Sequence, residues 1–253
     1  MDNRPILELK KLSKTFTDRE TEVSIIKDLD LSIGEREFVC VLGPSGCGKT
    51  TMLRCIAGFE AYTGDVIVDG ELKTEPGADR IMVFQDFNQL FPWKTLEKNI
   101  RYPLKLLGMR KRSERAAVTR DVLAKVKLTG YEKYYPFQLS GGMKQRVAIA
   151  KALALKPKIV LMDEPFAALD AMTRRGLQGE LLKIAEEEPS TFIFVTHNIQ
   201  EAIVLASRII VFSNGGKIVY DKPNPLAKPR TPASKGYGDL WEALNSALYY
   251  KEE

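Results

Sequence analysis

The residues from 37 to 57 constrain the fold of this chain more than any other part of its sequence. A short apolar run at 37–42 leads directly into the glycine-rich stretch GPSGCGKT at 43–50, and a helical pattern continues to Ala57. The stretch fits G-x-x-x-x-G-K-[ST], in which glycines let backbone N–H groups approach phosphate oxygens at a helix N-terminus. A strand, a phosphate loop and a helix in this order predict the nucleotide-binding edge of an α/β sheet.

The residues of this loop have distinct expected roles toward a nucleoside triphosphate. Lys49 is expected to reach the β- and γ-phosphates, and the Thr50 hydroxyl is expected to hold Mg²⁺. The other residues expected to contact the nucleotide are Gly43, Pro44, Ser45, Gly46, Cys47, Gly48 and Thr51. Because Cys47 lies inside the loop, its alkylation is expected to obstruct the nucleotide.

Polar side chains stand at the ends of three other apolar runs: Asp163 and Glu164 after 158–162, His197 after 191–196, and Gln85 after 81–84. The carboxyl ends of parallel strands meet at the edge where open α/β sheets place their sites. We expect Asp163 to contact Mg²⁺ through a water molecule and Glu164 to orient or deprotonate the attacking water. We expect His197 to face the γ-phosphate and Gln85 to sense a water on Mg²⁺. Taken singly, the carboxylates could be solvated loop residues and the histidine an ordinary surface or core residue.

A second glycine-rich segment, Ser140-Gly141-Gly142, precedes a helical pattern at 141–154. Its hydroxyl and N–H groups can form another phosphate cradle at a helix N-terminus. The tripeptide alone is more typical of a helix cap, but Leu139 before it and Gln145-Arg146 after it favour the cradle. One nucleotide cannot easily use two such cradles in one subunit. The pair of segments therefore suggests that two copies of the chain share their nucleotides.

Strand and helix patterns alternate along the chain. Strands are predicted at 6–9, 29–33, 37–42, 64–69, 81–84, 158–162, 191–195, 209–213 and 217–220. Helices are predicted at 50–57, 96–107 with an interruption at Pro103, 113–128, 141–154, 172–187 and 199–206. Alternating elements predict a parallel sheet between helices, and the helical stretch from about 96 to 154 predicts an inserted lobe. Four prolines at 223–232 predict an extended connector before a final short helix, whose apolar face would carry Leu240, Trp241, Leu244 and Leu248.

Composition excludes several classes of protein. No run of 18 apolar residues occurs, so the chain is not expected to span a membrane. The 38 Lys and Arg residues against 33 Asp and Glu form no long basic block, and no nucleic-acid partner is expected. Three cysteines without a C-x-x-C spacing favour neither a disulfide framework nor a zinc site.

Together, the motifs resemble those of the ATP-binding cassette (ABC) ATPases, in the family's order and over about residues 7–221. The matching segments are GPSGCGKTT (Walker A), VFQ (Q-loop), LSGGMKQ (signature), IVLMDE (Walker B with the catalytic glutamate), FAALD (D-loop) and THN (switch histidine). Met143 stands where the family's signature has glutamine, while Ser140, Gly141 and Gly142 match it. Six motifs in order are far more specific than any one of them.

The resemblance implies an α/β fold: a P-loop NTPase core with a mixed sheet flanked by helices, an N-terminal antiparallel β subdomain and an inserted α-helical subdomain. The implied ATPase domain covers 1–222 with the insertion at about 91–155, and 223–253 form the connector and C-terminal helix. The implied cofactors are ATP and Mg²⁺, with Thr50, Gln85 and Asp163 toward the metal. Phe16 is the implied adenine platform, unless its ring belongs to the core.

The resemblance also implies a second copy of the chain as a partner. In the implied head-to-tail dimer, two ATP molecules lie between the subunits, and the P-loop of one chain faces Ser140–Gly142 of the other. ATP then holds the halves together and hydrolysis lets them part.

The segment after Gln85, DFNQLFPWKTLEKNI, resembles the nitrate/sulfonate/taurine group of bacterial importers. In that group it lines the groove that receives a coupling helix of the membrane subunit, and Phe87, Leu90, Phe91 and Trp93 suit such a groove. The alternative is that Trp93 and its neighbours pack internally against the helical lobe. The implied partners are integral membrane permease subunits and, indirectly, a substrate-binding protein. The implied location is peripheral, at the cytoplasmic face of the inner membrane.

The sequence leaves two alternative functions to weigh against the importer hypothesis, and two alternative roles for the C-terminal helix. A soluble cassette ATPase of chromosome maintenance or translation needs a long coiled-coil insertion or a second cassette, and neither fits in 253 residues. A scaffold that binds nucleotide without turnover is disfavoured by Lys49, Glu164 and His197. The C-terminal helix either caps the cassette or touches a partner subunit, and its apolar face favours capping.

Overall fold

The protein is described by a computed structural model, which covers residues 4–18, 21–86 and 89–249. Its strands are β1 (Leu7–Asp18), β2 (Thr21–Ile33), β3 (Phe38–Leu42), β4 (Thr63–Val68), β5 (Glu71–Leu72), β6 (Arg80–Val83), β7 (Ile159–Asp163), β8 (Thr191–Thr196), β9 (Arg208–Phe212) and β10 (Ile218–Pro223). Its α-helices are α1 (Lys49–Ala57), α2 (Leu96–Leu106), α3 (Arg112–Lys125), α4 (Gly141–Ala154), α5 (Ala171–Glu187), α6 (Ile199–Leu205) and α7 (Tyr237–Leu248). Within the covered residues, none of these helices is both long and apolar enough to cross a bilayer.

The chain divides into two compact units. The first unit comprises Met1–Gly77 and Thr191–Glu253, and the second comprises Ala78–Ser190. The motifs predict a different division of the chain, with an ATPase domain at 1–222, an insertion in it at about 91–155, and a C-terminal part at 223–253. Those bounds stay a prediction.

An antiparallel sheet in the first unit has the strand order β2-β1-β4-β5. β2 buries Ile26, Leu29, Leu31 and Ile33 while most residues between them face solvent, because alternate residues of a strand point to opposite faces. Both β1 and β2 extend well beyond their predicted ranges, into segments that pair with each other from Thr15–Ser24 to Asp18–Thr21. Residues 15–17 and 21–24 are exposed on these segments, so the pairing leaves no alternation of buried and exposed residues in the sequence.

A second sheet of the first unit carries the nucleotide loop. β3 pairs in parallel with β8 on one side and with β9 on the other, and β10 adds an antiparallel edge to β9. Every residue of β3 and β8 is buried, as expected of strands covered on both faces. The helix α6 contacts β3 and β8, and α7 contacts β9 and β10. The predicted mixed sheet flanked by helices is confirmed.

In the second unit, β6 and β7 form a parallel pair, and α4 packs on β6 and on the helices α2, α3 and α5. The predicted interruption at Pro103 is wrong, since α2 runs through it to Leu106. Leu96, Ile100 and Leu104 are buried on one face of α2. Proline disrupts a helix mainly around one lost backbone hydrogen bond, and this buried face stabilises the helix on both sides of it.

The C-terminal segment belongs to the first unit. The prediction that the connector after β10 is extended is wrong in part, since residues 228–229 and 232–236 form bends and turns. The Asn224 side chain donates to the carbonyls of Ile203 (2.8 Å) and Ala206 (3.0 Å) at the end of α6. Leu240 and Leu244 of α7 are buried, in agreement with the capping interpretation. Trp241 was expected on this buried face but is 40% exposed. It directly follows Leu240 and therefore lies about 100° around the helix from it.

Candidate nucleotide-binding site

The glycine-rich loop joins β3 to α1 in the first unit. Gly46 (φ +83°) and Gly48 (φ +105°) adopt left-handed backbone conformations that favour glycine. A Cβ on Gly48 would lie 3.1 Å from the Ile25 carbonyl oxygen, so the loop packs closely on β2. Gly48 is also the N-cap of α1 and supplies no side-chain cap to the first turn.

Lys49 is held inside this loop. Its side chain donates hydrogen bonds to the carbonyl oxygens of Gly43 and Pro44, each at 2.8 Å, and the residue is only 5% exposed. A buried ammonium and an uncapped helix N-terminus both favour an anion. The residues present therefore fit the phosphate end of a nucleotide, and the exposed Thr50 adds a hydroxyl oxygen of the kind that Mg²⁺ prefers.

Cys47 is fully buried beneath the loop, with its Sγ 3.9 Å from Lys49 Nζ. Burial raises the pKa of its thiol, and the neighbouring Lys49 charge opposes this effect in part. A Cβ on Gly43 would lie 2.6 Å from the same sulfur, so Gly43 and Cys47 pack directly against each other. Because the thiolate is the reactive form, the burial and raised pKa of Cys47 should slow its alkylation in the native protein.

The register of β3 and β8 brings His197 to the same sheet edge as the loop. Leu42 pairs with Thr196, so Gly43 and His197 follow residues that lie side by side. Thr196 Oγ1 donates to the Glu201 carboxylate at 2.6 Å and accepts the Asn198 N–H at 3.0 Å. These two contacts hold the turn that carries the exposed His197.

The second unit places its candidate residues at the edge formed by β6 and β7. Val83 pairs with Met162, so Gln85 lies two residues beyond this pair and Asp163 one residue beyond it. Asp163 is 8% exposed, whereas Gln85 is exposed. Glu164 has φ +42°, a strained conformation for a residue with a side chain and one that often occurs at functional sites.

Beyond Glu164, a tight loop leads into α5. Asp170 caps this helix by accepting the N–H groups of Met172 (3.1 Å) and Thr173 (3.0 Å). Hydrogen bonds from the Thr173 side chain and backbone lower the pKa of the Asp170 carboxyl. The fully buried Phe166 ring anchors the loop.

The segment Ser140-Gly141-Gly142 begins α4 in the same unit. Ser140 Oγ accepts the Met143 N–H at 3.3 Å, so the Ser140 side chain caps the N-terminus of α4. A Cβ on Gly142 would lie 2.5 Å from Thr173 Cγ2, so α4 and α5 approach closely at this point. Gly142 therefore has a packing role in addition to any contact with phosphate.

Phe16 lies on β1 in the first unit and is 41% exposed, which rules out the alternative that it belongs to the core. Lys14 Nζ lies 4.5 Å from the centroid of its ring. An exposed aromatic ring can stack on a base.

The structure thus brings the candidate residues together in two groups. Phe16, the loop at 43–51 and His197 belong to the first unit, while Gln85, Ser140–Gly142, Asp163 and Glu164 belong to the second.

Sequence reasoning missed the residues that hold these groups in place. Asn198, followed three positions later by Glu201, is a capping signature that could have been found, and the Asn198 side chain does accept the Glu201 N–H at 3.2 Å. Gln89 bonds both backbone groups of Phe84 and so closes the loop after β6, for which the sequence carries no signal.

Comparisons with known proteins agree with these motifs. The family model described as ABC transporter matches residues 26–167. The uncharacterized ABC transporter ATP-binding protein MJ0412 of Methanocaldococcus jannaschii is 47% identical over 230 residues, which are 90% of this chain and 85% of that protein. The aliphatic sulfonates import ATP-binding protein SsuB of Bacillus cereus is 41% identical over 244 residues (96% and 95%). The nitrate import ATP-binding protein NrtD of Synechococcus elongatus is 44% identical over 215 residues (84% and 78%).

Among solved structures, a dimer of the ATP-binding cassette MJ0796 in a post-hydrolysis state, bound to ADP and Pi, is similar to this chain with a TM-score of 0.76. The identity is 35%, over 86% of this chain and 98% of that one. The resemblance drawn from the motifs is therefore confirmed, and the chain belongs to the ABC transporter family.

Proposed function

We propose that this chain is the ATP-hydrolysing subunit of an importer for a small solute of the nitrate, sulfonate and taurine kind. The observation that carries the proposal is the register of β3 and β8, because it puts the phosphate loop and His197 at one sheet edge. The names of the two relatives described above as import proteins state sulfonates and nitrate, and both support the importer group.

In the proposed reaction, the loop from Gly43 to Thr51 and the Lys49 ammonium bind the triphosphate, and Phe16 stacks on the adenine. Glu164 orients the attacking water and takes its proton, while His197 donates a hydrogen bond to the γ-phosphate. Thr50, Gln85 and Asp163 are the residues that would hold Mg²⁺, which neutralises phosphate charge when it is bound.

The proposed working state is a head-to-tail dimer in which Ser140–Gly142 of one chain closes over the nucleotide of the other. The dimeric MJ0796 cassette supports self-association. The Gly141-Gly142 start of α4 supports the remaining step, since the N–H groups of a helix N-terminus can bind a phosphate. ATP-dependent closure of this dimer would drive transport.

The proposed permease contact lies on the second unit, at an aromatic patch consisting of Phe91, Trp93 and Tyr102. The Phe91 ring lies 5.6 Å from Trp93 and 5.3 Å from Tyr102, between ring centroids. Trp93 is 69% exposed, which contradicts the alternative that it packs internally, whereas Leu90 is buried. Phe87, also assigned to this groove, lies outside the described residues.

A cavity of about 430 Å³ in the same unit adjoins this patch through Lys151. Lys151 Nζ lies 5.2 Å from the Phe91 ring centroid, donates to the Gln89 carbonyl at 3.2 Å, and lines the cavity together with Phe84 and Asp86. Burial lowers the pKa of Lys151. An apolar recess with a few polar groups suits an inserted helix of a membrane subunit. The chain would then act peripherally, at the cytoplasmic face of the inner membrane, with a substrate-binding protein as an indirect partner.

The substitution Glu164→Gln tests the catalytic assignment. It should abolish steady-state phosphate release while ATP binding persists, and ATP should shift the variant to a dimer in size-exclusion chromatography. Glu187→Gln, an exposed carboxylate on α5, is the matched control and should keep wild-type turnover. Unchanged turnover in Glu164→Gln would remove Glu164 from its role.

Trp93→Ala tests the permease contact. In pull-downs from detergent extracts of the source membranes, the wild type should recover an integral membrane protein encoded beside the cassette, and Trp93→Ala should not. Trp241→Ala removes the chain's other tryptophan, on α7, and should behave as wild type. Failure of the wild-type chain to recover any permease would overturn the importer assignment.

A further inference from the structure

A basic recess of about 250 Å³ lies on the second unit, between α2 and the start of α3. The residues that line it are Lys94, Lys98, Arg101, Tyr102, Lys105, Arg112 and Arg115. Six of these seven residues are cations, and no carboxylate lines the recess.

Only part of this positive charge is compensated locally. Arg101 pairs with Glu97 at 2.9 Å, and Arg115 donates to the carbonyl oxygens of Met109 and Arg110. Lys98, Lys105 and Arg112 are exposed, and none of them has a carboxylate within 4.0 Å among the described residues. A recess with this excess of cations attracts an anionic partner.

Apolar side chains border the recess. Leu106 and Leu107, at the end of α2, are 67% and 56% exposed, and Tyr102 is 40% exposed. The recess shares Tyr102 with the aromatic patch, and Lys94 Nζ lies 5.0 Å from the centroid of the Tyr102 ring. Exposed leucines, aromatic rings and lysines in one place are typical of a surface that lies in the headgroup region of a bilayer.

We propose that the basic recess binds the phosphate groups of anionic lipids and holds the second unit against the membrane beside the permease. The inference rests on the proposed function, because the aromatic patch that continues the recess is the proposed permease contact. The cytoplasmic face of a membrane carries a negative surface potential, and each nearby Lys or Arg strengthens partitioning about fivefold. The exposed leucines could contact the apolar part of a lipid, which a soluble anion lacks.

Cosedimentation of the full chain with vesicles tests this proposal. The chain should bind vesicles that contain phosphatidylglycerol, bind pure phosphatidylcholine vesicles far more weakly, and dissociate as salt rises. The triple variant Lys98→Gln, Lys105→Gln, Arg112→Gln should lose roughly a hundredfold in partitioning. The control variant Lys183→Gln, Lys235→Gln, Arg4→Gln removes the same charge from exposed positions on elements other than α2 and α3 and should lose far less.

Three results would overturn the proposal: equal binding to neutral vesicles, equal losses in the two triple variants, or displacement of the wild type by inorganic phosphate where sodium chloride of the same ionic strength leaves it bound. The last result would assign the recess to a soluble anion. Phosphate release from ATP is measured on the same samples. Intact turnover without vesicle binding refutes the lipid contact alone, whereas absent turnover refutes the proposed function.

Discussion

The hydrogen-bonded turn that carries His197 gives the sharpest test of how the fold supports the site. Thr196→Val keeps the shape of a side chain that is 2% exposed but removes its hydroxyl. Glu201, itself 5% exposed, then loses a 2.6 Å donor, and the Asn198 N–H loses its acceptor at 3.0 Å. A hydrogen bond to a charged group contributes about 1.5–3 kcal/mol and a neutral one about 1 kcal/mol, so we expect a loss of about 3 kcal/mol.

For a chain of this size, that loss lowers the Tm by roughly 6–12 °C in scanning calorimetry. Thr196→Ser keeps the oxygen and removes one buried methyl group, at a cost of about 1 kcal/mol. Turnover in Thr196→Val should fall while ATP affinity stays near that of the wild type, because only the turn that carries His197 changes. A Tm no lower than that of Thr196→Ser would refute the energetic argument. A lower Tm with unchanged turnover would refute the positioning of His197 by this network.

Three further predictions concern other parts of the site. Gly142→Ala places a Cβ 2.5 Å from Thr173 Cγ2 and should lower the free energy of unfolding by about 1–3 kcal/mol in calorimetry. In the double variant, Thr173→Ser removes that methyl group and should restore at least half of the lost stability. No recovery would exclude the clash as the cause of the loss. Phe16→Ala should weaken ATP binding roughly tenfold in calorimetric titration and leave tripolyphosphate binding unchanged, since in the proposed site the ring would contact only the base. An equal loss for both ligands would contradict the platform role. Burial raises the pKa of Cys55 to about 11, so its native thiol should react with iodoacetamide at pH 8 on the order of a hundredfold more slowly than in the unfolded chain, and faster as pH rises toward 11. Burial also raises the pKa of Cys47, whose native thiol should react more slowly than the unfolded one; rapid native labelling of either thiol at pH 8 would contradict this.

The same thiols make a directional prediction about stability. Their folded pKa values lie above the unfolded ones, so their contribution to folding is fully present below the unfolded value of about 8.5. This stabilising contribution is lost as the pH rises from about 8.5, the unfolded pKa, to about 11, the pKa of Cys55 in the folded protein. Denaturant unfolding at pH 7 and pH 10 should show lower stability at the higher pH, and Cys55→Ala should reduce the difference.

Much of the fold could be predicted because its signals are local. The apolar runs around β3, β7 and β8 and the helical pattern at 141–154 marked those strands and α4 to within about one residue. The exposed extensions of β1 and β2 could not be predicted, because their pairing is made between strands rather than along the sequence. The break expected at Pro103 was wrong for a related reason, since burial of one face of α2 outweighed a local preference.

By itself, the sequence determined the chemistry of the candidate site and its places along the chain. The glycines, Lys49, Asp163, Glu164 and His197 each stand at the end of a strand or the start of a helix, and short patterns reveal such positions. Only the tertiary structure decided which of these positions become neighbours: the pairing of Leu42 with Thr196, the close approach of Gly142 to Thr173, and the exposure of Trp93. Strand register and helix packing depend on contacts between residues far apart in the chain, and a pattern read along one segment does not contain them.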